Sequence, residues 1–299
     1  MRQSTACTIV LFCGMIVPFQ KMSGAGNTFI VADSRQLPPD ADLGLLAPLI
    51  CSEEQGHGGA DGFMAIAPAN NPSSPLDFTM LYFNRDGSTG MMCGNGGRCA
   101  VRFAADHGFV QNPDSITFSN AGVNYQARLT ERGVLVRFPS PGLVRLHQSF
   151  VLFGTSQPYQ FVDVGTPHAI LFLEDLSGEQ PTHLSELDVA RWGEAVRHHE
   201  AFRPGGANAN FVQATGDRSG ILLRTFERGV EAETGACGTG AIASAIVAAG
   251  RYGLAESVAV TTTSGATLYV GFTVEEDSIQ NVFLEGDATV MMTGELQLG

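Results

Sequence analysis

The sequence predicts an α+β fold of two pseudo-symmetric, β-rich, barrel-like domains, each built around a central helix, with the active site in the cleft between them. Three observations carry this prediction: landmarks repeat in the same order in both halves, each half holds an Ala-rich helical stretch, and most other apolar segments are short and bounded by turn residues. A chain of 299 residues is long enough for two domains of ordinary size.

Four landmarks follow one another in each half. They are a Gly-led turn with an apolar strand (26–33 and 165–175), a Gly-Gly-Ala segment (58–61 and 205–208), a strand with a polar turn (81–87 and 224–229), and Cys-Gly-x-Gly (93–96 and 237–240). Their shared order, spacing and residue types indicate a duplication. We therefore predict one domain from residues 16–138 together with 276–299, and a second domain from residues 139–275.

An Ala-rich stretch with apolar periodicity follows each Cys-Gly-x-Gly and predicts a helix over 98–107 and over 241–250. A helix that is apolar nearly all round belongs inside a domain. Alternating apolar segments predict short strands, for example over 115–119, 123–129, 134–138, 258–262 and 267–272.

The first residues have two interpretations. Arg2 and the apolar run over 6–19 have the length of a signal peptide, but no small-x-small cleavage site precedes Lys21. We favour a start at Met15, directly before the strand predicted over 16–22, which makes residues 1–15 a non-native or disordered extension. The protein is then expected to be cytoplasmic.

Composition argues against several classes of function. A net charge of −13 without a Lys/Arg cluster is unfavourable for binding nucleic acid or anionic membrane lipid. Lys21 is the single lysine, which argues against pyridoxal phosphate, a cofactor held through a lysine Schiff base. The six cysteines contain no C-x-x-C pair, so a disulfide scaffold or a structural zinc site is unexpected. We expect no cofactor and no metal.

Cys93 and Cys237 each stand where a predicted helix begins. The free N–H groups and the positive dipole end of a helix lower the pKa of a thiol, so each cysteine is expected to be a usable base near neutral pH. Two such thiols facing each other across a pseudo-two-fold axis suit inversion of a carbon centre: one removes a proton while the other delivers one. The two then titrate as a coupled pair.

Other interpretations of the cysteines stay open. A lone buried cysteine is usually a small packing residue, and the other four cysteines are interpreted in this way. Cys93 and Cys237 could also form a disulfide on oxidation. Their matched positions in a duplicated chain favour the catalytic interpretation.

The stretches 21–27, 84–88, 93–98, 165–168, 227–229 and 237–240 resemble those of the diaminopimelate epimerases. The resemblance implies conversion of LL-2,6-diaminopimelate to the meso isomer, in lysine and peptidoglycan precursor biosynthesis, by a homodimer without cofactor or metal. It implies Cys93 and Cys237 as the base and acid pair, with His168 and Glu227 adjusting their pKa values. Substrate contacts are implied for Asn27, Asn84, Gly94, Asn95, Asn208, Glu227, Arg228, Gly238 and Thr239.

Within this resemblance, the backbone amides after each cysteine would hold a carboxylate, Arg228 would fork onto a second one, and Glu227 would accept from an α-ammonium group. Thr28 and Thr166 stand where the family often has Asp and Asn, and Gly62 where some members have Gln. These departures concern how the distal carboxylate is held.

Two alternatives remain, and the second comes from a different class of function. One is an enzyme similar to proline or hydroxyproline racemases, which share the plan and both cysteines but commonly have His where Asn95 stands here. The other is a non-catalytic binding domain on the same fold. Solvent deuterium entering the α-carbon of diaminopimelate, compared with proline, distinguishes these alternatives.

Overall fold

The computed structural model describes residues 15–69, 74–89, 92–178, 181–254, 257–276 and 278–298. Apart from Met15, the predicted extension lies outside the described residues. The first half contains β1 (Met15–Gly24), β2 (Asn27–Asp33), α1 (Leu43–Ile50), β3 (Gly62–Pro68), β4 (Phe78–Asn84), α2 (Gly94–Asp106), β5 (Ile116–Asn120), β6 (Val123–Thr130) and β7 (Gly133–Arg137). The second contains β8 (Leu143–Leu152), β9 (Thr155–Asp163), β10 (Pro167–Phe172), α3 (Val189–Arg197), β11 (Asn208–Ala214), β12 (Gly220–Glu227), β13 (Ala232–Thr234), α4 (Gly238–Tyr252), β14 (Ser257–Thr261), β15 (Thr267–Glu275) and β16 (Ser278–Gly286), and β17 (Thr289–Leu298) follows.

Strand pairing repeats between the halves. In the first half, β2 and β3 are parallel, β3 and β4 antiparallel, and β4 and β5 parallel, with antiparallel pairs continuing through β6 to β7. In the second half, β10, β11, β12 and β14 show the same alternation, and antiparallel pairs continue through β15 to β16. The predicted α+β fold of two pseudo-symmetric halves is confirmed.

The last two strands connect the halves. Strand β16 pairs with both β15 and β7. Strand β17 pairs with β1 as β8 pairs with β9, so the end of the chain returns to the first half. Because β16 pairs with a strand on each side of the proposed division, the domain boundaries near residues 138 and 276 stay a prediction.

Helices α2 and α4 occupy the two cores. Ten of the 13 residues of α2 are buried, and its core includes Phe78 and Phe118, whose rings stack. The core around α4 is lined by small side chains such as Ala243 and Ala245, which let the strands pack close to the helix. A larger residue at a fully buried alanine would cost about 1–3 kcal/mol in overpacking.

The helix boundaries and number differ from the prediction. Helices α2 and α4 begin at Gly94 and Gly238, earlier than the predicted residues 98 and 241, because their glycine-rich first turns have weak helical propensity but are held by tertiary packing. Helices α1 and α3 were not expected. Both helices pack on the outer faces of the sheet. In the first half, successive side chains of β3 point to opposite faces, so Phe63 is buried in the core next to α1 and Met64 in the core around α2.

Candidate active site

The first residues of α2 and α4 lie against each other. A methyl group in place of the Gly94 hydrogen would lie 3.8 Å from the Gly238 Cα, and one on Gly238 would lie 3.5 Å from the Gly94 Cα. Both methyl groups would also crowd the Leu284 Cδ2, at 2.9 and 3.0 Å. The contacts with the opposite glycine would be ordinary van der Waals contacts, so it is the buried Leu284 between the helix starts that favours glycine at both positions.

Cys93 and Cys237 are the N-cap residues of α2 and α4, as predicted. Both line one cavity of about 840 Å³ formed by residues of the two halves. The same cavity is lined by Asn27, Asn84, Gly94, Asn95, Asn208, Glu227, Arg228, Gly238 and Thr239. Of the predicted site residues, His168 does not line the cavity; it is fully buried behind Thr166.

The thiol pKa values correct the prediction of readily ionised cysteines. Burial raises the pKa of both thiols, and the charge of Glu227 raises them further. The N–H groups of the helix ends act in the expected direction at both sulfurs, but burial outweighs them. A charge on Cys93 also raises the pKa of Cys237, so the thiols are electrostatically coupled.

Asn95 ties the two halves together. Its Nδ2 donates to the Asn27 Oδ1 at 2.7 Å and to the Ala236 carbonyl at 3.2 Å. The residue is 1% exposed, so its side-chain donors are committed to protein groups. A substrate contact by Asn95 stays a prediction.

Asn84 is held by its neighbours in the first half. The Tyr82 hydroxyl donates to the Asn84 Oδ1 at 2.9 Å, and the Asn84 Nδ2 donates to the Ser88 Oγ at 2.9 Å. Ser88 in turn donates to Asp86 at 2.6 Å. These bonds fix the direction of the carboxamide at the cavity wall.

The second half contributes a carboxylate and a guanidinium group. The Arg228 backbone N–H donates to the Asn208 Oδ1 at 2.8 Å, and the Asn208 Nδ2 donates to the Pro167 carbonyl at 3.1 Å. The Glu227 carboxylate accepts from the Thr234 hydroxyl at 2.8 Å, and burial raises the pKa of Glu227. Within the described ranges, no carboxylate oxygen lies within 4.0 Å of the Arg228 guanidinium. The cavity can therefore receive a ligand that carries both a cation and an anion.

His168 is neutral. Burial lowers its pKa to about 3, and its ring nitrogens contact Thr166 and Asn210 at 3.0 and 3.1 Å. Its predicted influence on the cysteines therefore has no route through a positive charge on the imidazole, and none of its hydrogen bonds reaches a sulfur directly.

Arg98 was not among the predicted site residues. It is fully buried in α2, where its Nη1 donates to the Gly94 carbonyl at 3.1 Å and its Nε to the Asp287 carbonyl at 3.0 Å. Its charge acts to lower the pKa of Cys93. The signal in the sequence was an arginine at an inward position of an otherwise apolar helix.

A second cavity, of about 1150 Å³, contains none of the predicted site residues; its lining mixes apolar side chains such as Phe172 and Ile246 with polar ones such as Gln160 and Arg251. In the part of the chain that the structure describes, no three His, Cys, Asp or Glu side chains group as metal ligands. No helix among those residues is both long and apolar enough to cross a membrane.

The architecture is a fold known from solved structures. A hydroxyproline epimerase from Agrobacterium vitis superposes with a TM-score of 0.66 at 16% identity, covering 95% of this chain and 93% of that chain. At this identity, the likeness shows the fold alone.

The sequence places the chain more narrowly. The profile of the diaminopimelate epimerase family matches residues 19–136 and 160–294. A diaminopimelate epimerase from Aquifex aeolicus is 36% identical to this chain over 288 residues, which cover 93% of this chain and 97% of the relative. One from Chlorobaculum tepidum is 37% identical over 286 residues, which cover 93% of this chain and 100% of the relative. The chain belongs to the diaminopimelate epimerase family.

Proposed function

We propose that this protein epimerises LL-2,6-diaminopimelate to the meso isomer by proton transfer between Cys93 and Cys237, without an organic cofactor or a metal. The single observation that carries the proposal is the meeting of two cysteine-capped helix N-termini in one cavity. Relatives named diaminopimelate epimerase, with 36% and 37% identity, support the choice of substrate.

The reacting carboxylate lies at the two helix starts. The first N–H groups of α2 and α4, including those of Gly94 and Gly238, have no partner within their helices, and the positive dipole ends of both helices converge there. Removing the α-proton shifts negative charge onto this carboxylate, so the same donors stabilise the carbanion more strongly than the ground state.

The raised thiol pKa values fit this chemistry in two ways. A thiolate with a high pKa is a stronger base towards a weakly acidic C–H group. Because ionising one sulfur disfavours ionising the other, the two are not ionised together, and inversion uses the form of the pair that holds one proton. The thiolate removes the α-proton from one face, and the opposite thiol delivers its proton to the other face.

The charged residues orient the substrate. Glu227 accepts from the α-ammonium group, and this cation in the cavity lowers the pKa of both nearby thiols. Arg228 forks onto the distal carboxylate, next to Asn84 and Asn208. The protein acts as a homodimer in the cytoplasm, in lysine and peptidoglycan precursor synthesis.

Deuterium oxide provides the test. With LL-diaminopimelate, early meso product carries deuterium at the inverted α-carbon while the recovered substrate does not, because each sulfur serves one face. Product that keeps its original proton contradicts the two-sulfur scheme. Exchange into proline instead indicates a racemase-like function, and exchange into neither indicates a binding domain.

A further inference from the structure

Tyr82 is half-buried at the wall of the cavity that both cysteines line, and its ring lies across Gly62. A methyl group on Gly62 would meet the Tyr82 ring at 2.8 Å and its hydroxyl oxygen at 3.2 Å. Strands β3 and β4 pair here, with Gly62 opposite Asn84. The phenol of Tyr82 therefore occupies the place where any other residue at position 62 would put its side chain.

A row of hydrogen bonds sets the direction of the Tyr82 hydroxyl group. Hydrogen bonds from Ser88 lower the pKa of Asp86, and an ionised carboxylate can only accept, so the Ser88 hydroxyl donates to it at 2.6 Å. The Ser88 oxygen then accepts from the Asn84 Nδ2 at 2.9 Å. This leaves the Asn84 Oδ1 facing Tyr82, where it accepts the phenol proton at 2.9 Å.

As a result, two neighbouring groups offer opposite hydrogen-bonding roles to a ligand. Tyr82 has donated its only proton, and burial raises its pKa, so its oxygen is neutral and can only accept. The Asn84 Nδ2 keeps a second N–H, which can donate. An acceptor beside a donor suits an ammonium group and a carboxylate on the same carbon atom.

Asp61 makes this part of the cavity negative. It lines the same cavity, and its Oδ2 accepts from the Thr28 backbone N–H at 2.8 Å. Its charge acts to raise the pKa of Tyr82. Among the described residues, the ion pairs do not include Asp61. The phenol oxygen and this unpaired carboxylate together favour a cation in front of Tyr82.

We propose that Tyr82 determines specificity by accepting a hydrogen bond from the second ammonium group of diaminopimelate, with Asp61 adding a longer-range attraction. The inference rests on the proposed function. There, Glu227 accepts from the ammonium group of the reacting centre and Arg228 binds the distal carboxylate, which leaves the distal ammonium group without a partner. The free Asn84 N–H joins Arg228 at the distal carboxylate. A diamino substrate is thereby preferred over one with a single amino group.

Calorimetric titration with two ligands tests this preference. L-2-aminopimelate has the reacting centre and both carboxylates of LL-diaminopimelate but lacks the second ammonium group. We expect the wild-type protein to bind diaminopimelate at least about 10-fold more tightly than aminopimelate. Tyr82→Phe should weaken diaminopimelate binding about 10-fold and change aminopimelate binding less than about twofold. Because Tyr82 contacts the end of the substrate that does not react, kcat should fall less than about threefold.

Asp61→Asn tests the attraction by charge. Asparagine keeps a carbonyl oxygen for the Thr28 N–H, so the variant removes the charge and retains the local hydrogen bond. We expect diaminopimelate binding to weaken about threefold at low salt and less at about 1 M salt, since Asp61 is exposed and its charge is screened. Aminopimelate carries a net negative charge, so its binding should stay the same or improve.

Tyr159→Phe is the matched control. Its phenol is also buried, but it lies in a core of the second half outside the cavity, so both affinities should remain unchanged. Urea unfolding checks that each variant is folded. The inference is overturned if Tyr82→Phe weakens both ligands equally or neither of them, or if the wild-type protein binds both ligands alike.

The deuterium assay separates this inference from the proposed function. A protein that epimerises diaminopimelate, but in which Tyr82→Phe does not change the preference between the two ligands, refutes the role of Tyr82 alone. A protein with the expected binding preference that exchanges no deuterium into diaminopimelate refutes the proposed function alone.

Discussion

Gly94→Ala probes the contact that brings the two cysteines together. The new methyl group would lie 2.9 Å from the Leu284 Cδ2 and 3.3 Å from the Phe138 Cζ, closer than the ordinary carbon contact of about 3.5–4.0 Å. Leu284 is fully buried, so it cannot swing into solvent. Overpacking costs about 1–3 kcal/mol and the helix propensity of alanine returns up to about 1 kcal/mol, so we expect a net loss of about 1–2 kcal/mol.

We expect Gly94→Ala to reduce kcat by more than its modest loss of stability would indicate. Relief of the clash moves the start of α2, and Cys93 with it, by a few tenths of an ångström. Since a misplacement of about 1 Å can cost about 100-fold in rate, we expect about a 10-fold loss in kcat. Urea unfolding gives the free energy of unfolding, and the initial rate of meso product formation gives kcat.

Gly250→Ala is the control within the other central helix. Nothing lies within 4 Å of its added methyl group, so the variant should gain up to about 1 kcal/mol and keep full activity. Leu284→Val removes volume next to the new methyl group, so the stability losses of Gly94→Ala and Leu284→Val should be less than additive in the double variant. The reasoning is refuted if Gly94→Ala matches Gly250→Ala in both stability and rate.

Three further predictions concern chemistry and pH. Cys93→Ala and Cys237→Ala should each reduce epimerisation at least about 100-fold with little loss of folding, checked by product formation and circular dichroism; substantial turnover in either contradicts the two-sulfur scheme. Arg228→Gln should raise the KM for diaminopimelate about 10- to 100-fold, and Arg228→Lys should recover only part, because lysine cannot fork. An unchanged KM would place the distal carboxylate elsewhere. Burial lowers the pKa of His168 to about 3 in the folded protein. Between about pH 6.5 and 3, the imidazole is therefore protonated in the unfolded chain but neutral in the folded protein. Its stabilising contribution is therefore complete above pH 6.5 and is lost as the pH falls towards 3, and His168→Gln should reduce that slope by about 1.4 kcal/mol per pH unit in urea titrations; equal slopes contradict the assignment.

Much of the fold could be predicted because the internal duplication is recognisable in the sequence. Two Cys-Gly-x-Gly segments at matched positions predicted that a helix follows each cysteine and that the two cysteines share one cleft, although the helices begin earlier than the residues predicted for them. Helix α1 was missed because it has eight residues and contains Pro48. Helix α3 had a usable signal: Asp188 as N-cap, with Val189, Trp192 and Val196 on one buried face.

The site was predicted as a set of residues but not in its energetics. The pKa of a thiol depends on how deeply the whole fold buries it, and the local helix-end effect alone gave the wrong direction. The commitment of Asn95 to Ala236 joins residues 141 positions apart, which no local pattern indicates. Asn210 was not predicted as part of the site, because the sequence does not show that its side chain contacts His168.

Because β17 pairs with β1, the two halves can complete their sheets at different times during synthesis. The strands β8–β16 are contiguous, so the second half can collapse as it leaves the ribosome. The first half must wait for residues 289–298, produced after all its other strands, to cover the exposed edge of β1. Its apolar edge is a place where a chaperone or an aggregating neighbour would bind a nascent chain.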